Sequence, residues 1–339
     1  MIEDPWHRRA RGRAAAAAVA GLSALAACRG AEPELQPLTL EDRRSLAALH
    51  RFDPNAARIE DPGTLFLSLD QNLRKWREIS ARTQLSDLAQ RASLEEVLTR
   101  QVYYNFDAIL AELQHGVDPE HRVVAAAALG FSRIPAPDEP GGDPSFPALH
   151  VRAVEPLVQA LDSGNDELVV NALLSLGRIA SPDMSRQVLV ELMVKHHDAS
   201  VRANAALALA QVCTEADASL VTGPVFSAIS DPDATVRLHA VKALGRLHDP
   251  GSVGSLLDRL RRDDTPLVRA CAALELGKLG DWTAVPYLID GLQSEAQIVA
   301  FQCHRSLVRV TGRTDLRGYK AWRDWWNEAP RNPDRSRKT

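Results

Sequence analysis

Asp231-Pro232-Asp233-Ala234-Thr235-Val236-Arg237, followed by Ala240, Ala243, Leu244, Gly245 and Leu247, is the stretch that decides the fold. Its small and apolar residues recur three and four apart, the spacing of one face of an α-helix. Alanine and glycine on that face leave room for a second helix to come close. The Asp-rich start reads as a helix N-terminus, where a short acidic side chain accepts from backbone N–H groups that the helix leaves unbonded.

The pattern returns along the chain. One copy holds Asp263, Val268, Arg269, Ala272, Leu276, Gly277 and Leu279, and another holds Val201, Arg202, Ala205, Ala208, Leu209, Ala210 and Val212. A fourth has Arg122, Ala125, Ala128, Leu129 and Gly130. Weaker copies carry Val169, Ala172, Leu176 and Gly177, and Val299, Cys303, Leu307 and Val308. The position of Gly245 thus falls at residues 130, 177, 210, 245, 277 and 308. The long first step holds Pro135, Pro137, Pro140, Gly141, Gly142 and Pro144, and reads as a loop inserted over 134–148, because such a run cannot hold a helix. Amphipathic runs precede the copies, as in Val253, Leu256, Leu257 and Leu260, and in Val285, Leu288, Ile289 and Leu292. One unit is therefore a helical hairpin that cannot bury its apolar face alone and must stack on its neighbours. The expected fold class is all-α, an α-α superhelix of about six units over 116–312.

The pattern D-x-x-x-x-V-R-x-x-A-x-x-A-L-G-x-L resembles the bacterial HEAT repeat, the subtype shared with the HEAT-like bilin lyases. The resemblance spans residues from about 118 to 312. It implies a solenoid in which Asp and Arg of the turns bond across neighbouring repeats. Asp231 with Arg237, and Asp263 with Arg269, sit six apart and fit that role, whereas Arg122 and Arg202 have Asp118 and Asp198 four residues before them. All these arginines and aspartates read as a structural ladder, since a charge repeated at one position in each unit is not a catalytic centre. The resemblance further implies that the second helix of each pair lines the concave side, where extended partners bind. Helices over 153–161, 185–195, 252–261 and 284–292 are assigned that role. Their candidate partner-binding residues are Gln187, Glu191, Asp258, Arg261, Tyr287 and Asp290, a polar and acidic face with no basic stripe.

The N-terminus reads as an address. Arg8, Arg9, Arg11 and Arg13 precede an apolar run from Ala14 to Ala27, shorter than the roughly 20 residues a membrane-spanning helix needs. Residues 1–27 have the layout of a secretory signal. The run ends Leu25-Ala26-Ala27-Cys28, which resembles the lipobox of bacterial lipoproteins. That resemblance implies cleavage before Cys28, a lipid on its thiol and a membrane anchor. In a Gram-negative host Arg29, not being the aspartate of inner-membrane lipoproteins, implies the outer membrane, facing the periplasm. Residues 28–40 read as a tether. Residues 41–115 read as a helical N-terminal cap, with helices near 43–51 and 65–80. A longer one is opened by the capping-box pattern Ser93-Leu94-Glu95-Glu96 and runs to about Gln114. After Thr311-Gly312, residues 313–328 read as a capping helix with Trp322, Trp325 and Trp326 on one face, and 329–339 as a tail.

Little in the chain points to chemistry. The formal net charge is −4, and loss of residues 1–27 would make the body more acidic, which argues against nucleic acid. His196-His197-Asp198 lies in a turn and is not read as a metal site. Cys213, Cys271 and Cys303 are expected as buried thiols, because equivalent positions in stacked repeats lie about 10 Å apart and a disulfide needs Cα atoms within about 7 Å. No phosphate loop or nucleophile elbow is present, and neither cofactor, metal nor small-molecule substrate is expected. The expected function is a noncatalytic, membrane-anchored scaffold or adaptor for a protein or peptide. The alternative is a HEAT-like enzyme of the bilin-lyase type, against which the export signal weighs, since chromophore attachment is a cytoplasmic task.

Overall fold

The computed structural model describes residues 59–80, 85–133, 149–182 and 184–328. The signal segment, Cys28, the tether, the helix near 43–51, the inserted loop 134–148 and the tail lie outside the described residues. Among those described, the secondary structure is α-helix with three short 3-10 turns and no strand, an all-α repeat fold as expected. The described residues divide into two compact units, the first ending at Met184 and the second beginning at Ser185.

The first unit holds α1 (Pro62–Ser80), α2 (Leu85–Tyr104), α3 (Phe106–His115), α4 (Pro119–Leu129), α5 (Leu149–Ala160) and α6 (Asp166–Ile179). Helices α3 and α4 form one hairpin and α5 and α6 a second. Helix α4 stacks on α6, α3 stacks on α5, and α1 packs against α2 and α4. The second unit holds α7 (Arg186–Lys195), α8 (Ala199–Val212), α9 (Ala218–Ala228), α10 (Ala234–Arg246), α11 (Val253–Arg262), α12 (Pro266–Leu279), α13 (Val285–Gly291), α14 (Gln297–Thr311) and α15 (Gly318–Glu328). Its hairpins are α7/α8, α9/α10, α11/α12 and α13/α14. The trailing helices α8, α10, α12 and α14 stack into one layer, and the leading helices form a second, looser one.

The six trailing helices of the two units share one register. Their N-caps are Asp118, Asn165, Asp198, Asp233, Thr265 and Ala296. Seven residues beyond each cap stand Ala125, Ala172, Ala205, Ala240, Ala272 and Cys303. Eleven beyond stand Leu129, Leu176, Leu209, Leu244, Leu276 and Leu307, and all twelve are buried. Twelve beyond stand residues 130, 177, 210, 245, 277 and 308, the series read from the sequence. Where a unit lacks the ladder arginine, Val169 or Ala300 occupies its place. Asp118, Asn165, Asp198 and Asp233 each accept from N–H groups at the start of their helix. Thr265 makes no such side-chain bond, but Pro266 has no N–H to satisfy.

The glycines act as spacers. A Cβ at Gly130 would lie 2.7 Å from Ser175 Oγ, and one at Gly277 would lie 2.9 Å from Ser306 Cα. The approach lets Ser175 Oγ donate to Ala126 O (2.6 Å) and Ser306 Oγ to Ala273 O (2.7 Å), tying each helix to the one before it.

Two expectations about the N-terminal region are corrected. Ser93 does not open a helix; it lies inside α2, where its Oγ donates back to Ala89 O at 3.1 Å. A hydroxyl engaged with the preceding turn makes no cap. The helical stretch also breaks at Asn105, whose side chain is spent on Ile59 N–H and Gln101 O. The next helix, α3, pairs with α4, so the first hairpin begins at Phe106 rather than at 116. At the far end Gly312 closes α14 in the left-handed conformation (φ 72°), as its lack of Cβ permits. Trp322 of α15 is fully buried and its Nε1 donates to His304 Nδ1 at 3.2 Å.

Candidate functional site

The charged residues at the hairpin turns join successive repeats. Arg202 donates from Nε and Nη2 to Asp231 at 2.9 and 3.0 Å, and from Nη1 to the carbonyls of His196 and His197 at 2.9 Å each. Arg237 repeats the arrangement one unit on. Its Nε and Nη2 reach Asp263 at 2.9 and 3.1 Å, and its Nη1 reaches Asp231 O and Pro232 O at 3.0 and 3.1 Å. One edge of each guanidinium holds its own turn and the other holds the carboxylate of the next.

This corrects the expected pairs. Asp231 meets Arg237, and Asp263 meets Arg269, only through backbone carbonyls, the latter at 2.8 Å. Two residues before the cap of α14, where Asp231 and Asp263 have their counterpart, stands Ser294, so the last rung has no carboxylate. Arg122 likewise donates to a backbone carbonyl, Leu113 O, at 3.1 Å, while Asp118 caps α4. Burial pushes the Asp231 and Asp263 carboxyls up, but the hydrogen bonds and charge of their arginines hold both below the usual carboxylate value. The bond to Asp231 raises Arg202, and that to Asp263 raises Arg237.

Other reactive groups are occupied by packing. The His196 and His197 rings stack at 4.5 Å, and Asp198 accepts from Ser200 and Val201 N–H. Cys213, Cys271 and Cys303 are buried, and burial pushes the Cys213 and Cys303 thiols up to about 12. Glu275 is buried against Gly245; burial raises its carboxyl above the usual value despite Lys278 Nζ at 2.8 Å. Among the described residues no three metal-ligating side chains cluster.

The expected partner-binding residues lie on exposed or half-buried positions but not as one group. Gln187 donates to Glu191 at 2.9 Å within α7. Asp258 pairs with Arg259 and Arg262 at 2.9 and 3.3 Å within α11. The Arg261 guanidinium lies 5.4 Å from the centre of the Tyr287 ring on α13, so these two do meet, and Asp290 is exposed on the same helix. All six belong to leading helices, the first of each hairpin, and not to the second as expected. The trailing helices are the more closely packed layer of the second unit.

On that trailing layer stand residues the sequence reading missed. Nine and thirteen residues beyond the caps lie Lys242, Arg246, Lys278, Arg305 and Arg309, half-buried at Lys242 and exposed at the rest. The shared register was the signal that could have found them. In the first unit, a groove of about 690 Å³ runs between α1 and the start of α4, lined by Phe66, Leu67, Asp70, Arg74, His121 and Glu167. The Phe66 and His121 rings stack there at 4.8 Å.

Comparison with known proteins agrees with this geometry. Residues 154–223 and 224–307 each match the model of the HEAT-repeat family. No curated protein sequence matches the chain. Among solved structures it is similar to an engineered protein (23% identity, 86% of this chain and 77% of that one, TM-score 0.47). It is also similar to human deoxyhypusine hydroxylase in complex with glycerol (17%, 81% and 98%, TM-score 0.35). A third similarity is to YibA of Escherichia coli (16%, 81% and 99%, TM-score 0.37). At such identities no activity transfers.

Proposed function

We propose that this protein is a noncatalytic scaffold that holds a protein or peptide partner against its stacked helices, tethered to the cell envelope by a lipid on Cys28. The observation that carries the scaffold reading is the use made of the repeat's charged groups. Arg202, Arg237, Asp231 and Asp263 are consumed in joining one hairpin to the next. The charges that recur at the turns therefore build the stack, and function falls to the exposed positions between the rungs, a distribution suited to recognition over an extended face. The anchor reading is supported by Leu25-Ala26-Ala27-Cys28 at the end of a short apolar run. No described helix is long and apolar enough to cross a membrane. With Arg29 after the lipidated cysteine, the address in a Gram-negative cell is the outer membrane, facing the periplasm.

The test is site-specific photo-crosslinking of the full chain in its native envelope, with the cross-linker placed at exposed positions of the trailing and leading helices. The scaffold reading expects one defined protein partner, cross-linked from one layer and not from the other. Folded, correctly located protein that yields no defined adduct from either layer overturns it.

A further inference from the structure

We propose that the trailing layer of the second unit is a docking surface for an acidic segment of a partner protein. The inference rests on the scaffold reading and names the chemistry of its partner. Helices α8, α10, α12 and α14 contain one acidic residue among them, Glu275, which is buried and already bound to Lys278. The same layer presents Lys242, Arg246, Lys278, Arg305 and Arg309. Lys242 and Arg246, and Arg305 and Arg309, are four apart on one helix, hence about 6 Å apart. Corresponding positions on stacked helices are separated by about 10 Å. The result is a grid of positive charge three helices wide, with Leu274 at its sixth point, on a chain whose formal net charge is −4.

The first unit shows what meets a cation at this register. Arg178 stands thirteen residues beyond the cap of α6, as Arg246, Lys278 and Arg309 do in their helices. Its Nη2 lies 3.3 Å from the Glu95 carboxylate of α2, and its guanidinium lies 4.0 Å from the centre of the Phe131 ring and 5.2 Å from that of Trp76. Trp76 Nε1 donates to the same Glu95 at 3.0 Å. A packed helical segment thus covers this position with a carboxylate and an indole. In the second unit Arg246, Lys278 and Arg309 hold the equivalent place and are exposed. A carboxylate-bearing protein segment reproduces the observed pairing. A nucleic acid binds through many phosphates along a longer basic track, and Leu274 within the grid favours a ligand with an apolar side chain.

Each exposed ion pair changes affinity only a few-fold, so the grid acts collectively. The probe is a short fluorescein-labelled peptide rich in Glu with a single Trp, measured by anisotropy against the full-length protein at physiological salt. Its Gln-for-Glu counterpart and a single-stranded DNA of equal charge serve as comparisons. The test variant is Lys242→Glu/Arg305→Glu/Arg309→Glu, which spares Lys278 and so leaves Glu275 partnered; a milder Arg246→Gln/Arg309→Gln variant guards against misfolding, checked by melting. The proposal expects the acidic peptide to bind wild type about tenfold or more tighter than the charge-reversed variant. The Gln peptide should bind more weakly. Equal binding to wild type and folded variants, equal binding of the Gln peptide, or tighter binding of DNA overturns it. The photo-crosslinking of the native chain separates the two readings. A partner adduct that persists in the charge-reversed variant leaves the scaffold standing and removes the acidic segment, whereas absence of any adduct with wild type removes both.

Discussion

Arg237 and Asp263 form a two-point ion pair across a repeat boundary, Nε to Oδ2 at 2.9 Å and Nη2 to Oδ1 at 3.1 Å, with the Asp263 side chain fully buried. The guanidinium is shared: it also closes the turn that launches its own helix, through Asp231 O and Pro232 O. Local turn geometry and inter-repeat stacking therefore depend on the same side chain.

Arg237→Ala should lower stability by about 3 kcal/mol, because it strips the buried Asp263 carboxylate of its bidentate partner and leaves it the longer contact to Arg259 Nη1 at 3.4 Å. Arg237→Lys should recover only part of this, since an ammonium cannot reproduce the bidentate fork. Arg269→Ala, which removes a bond to a backbone carbonyl and no ion pair, should cost less, about 0.5–3 kcal/mol. Denaturant unfolding of the three variants checks the order; equal losses would show that the carboxylate contact adds nothing.

The aspartate rungs also set a pH response. The folded-state values of Asp231 and Asp263 lie below the ordinary one, so their contribution is fully present above the unfolded value of about 3.9. It is lost as pH falls through the folded value. Asp263→Asn should flatten the acid limb of a melting-temperature profile below about pH 4. Glu275 acts in the opposite sense. Burial raises its folded value, so stability falls as pH rises through the window above about 4.3, and Glu275→Gln should remove that slope. An unchanged profile in both variants would contradict the assignment.

Glycines in equivalent-looking helices should respond with opposite sign. At Gly277 a methyl would press on Ser306 Cα, which belongs to backbone, so Gly277→Ala should destabilise by about 1–3 kcal/mol. At Gly254, the second residue of α11, a Cβ meets nothing within 4 Å, so Gly254→Ala should stabilise, by at most about 1 kcal/mol. Thermal unfolding of the pair distinguishes a spacer from a merely tolerated glycine.

The register of the trailing helices was readable because it rests on residue size. Ala240, Leu244 and Gly245 have counterparts in every unit, and even the units without an arginine kept the same count from the cap. The partner of each arginine was not readable. Asp231 is close to Arg237 in sequence, yet its carboxylate turns to Arg202 of the preceding unit, and spacing along one chain cannot say which way a turn residue faces. Ser93 carried a start signal that the burial of Leu88 and Leu94 on either side overrode. The basic grid escaped notice for a different reason. Lys242, Arg246 and Arg309 are separated in sequence and line up only when helices are stacked.

Cys28→Ser should release the protein from the membrane fraction. A single acyl chain binds only marginally, while the several chains of a lipoprotein anchor hold stably. Intact-mass analysis of the wild-type N-terminus should show an acylated Cys28. An unmodified N-terminus at or before Ala27 would contradict the anchor and leave the repeat architecture untouched.

The central claim is that the repeat's charges build the stack and leave recognition to other residues. A double-mutant cycle on Arg237 and Asp263, read by denaturant unfolding alongside partner cross-linking, tests it most directly. The account predicts a coupling energy of about 1–3 kcal/mol between the two positions, with partner adduct formation retained by the folded variants. Additive effects on stability, or intact stability with loss of the partner adduct, would contradict it.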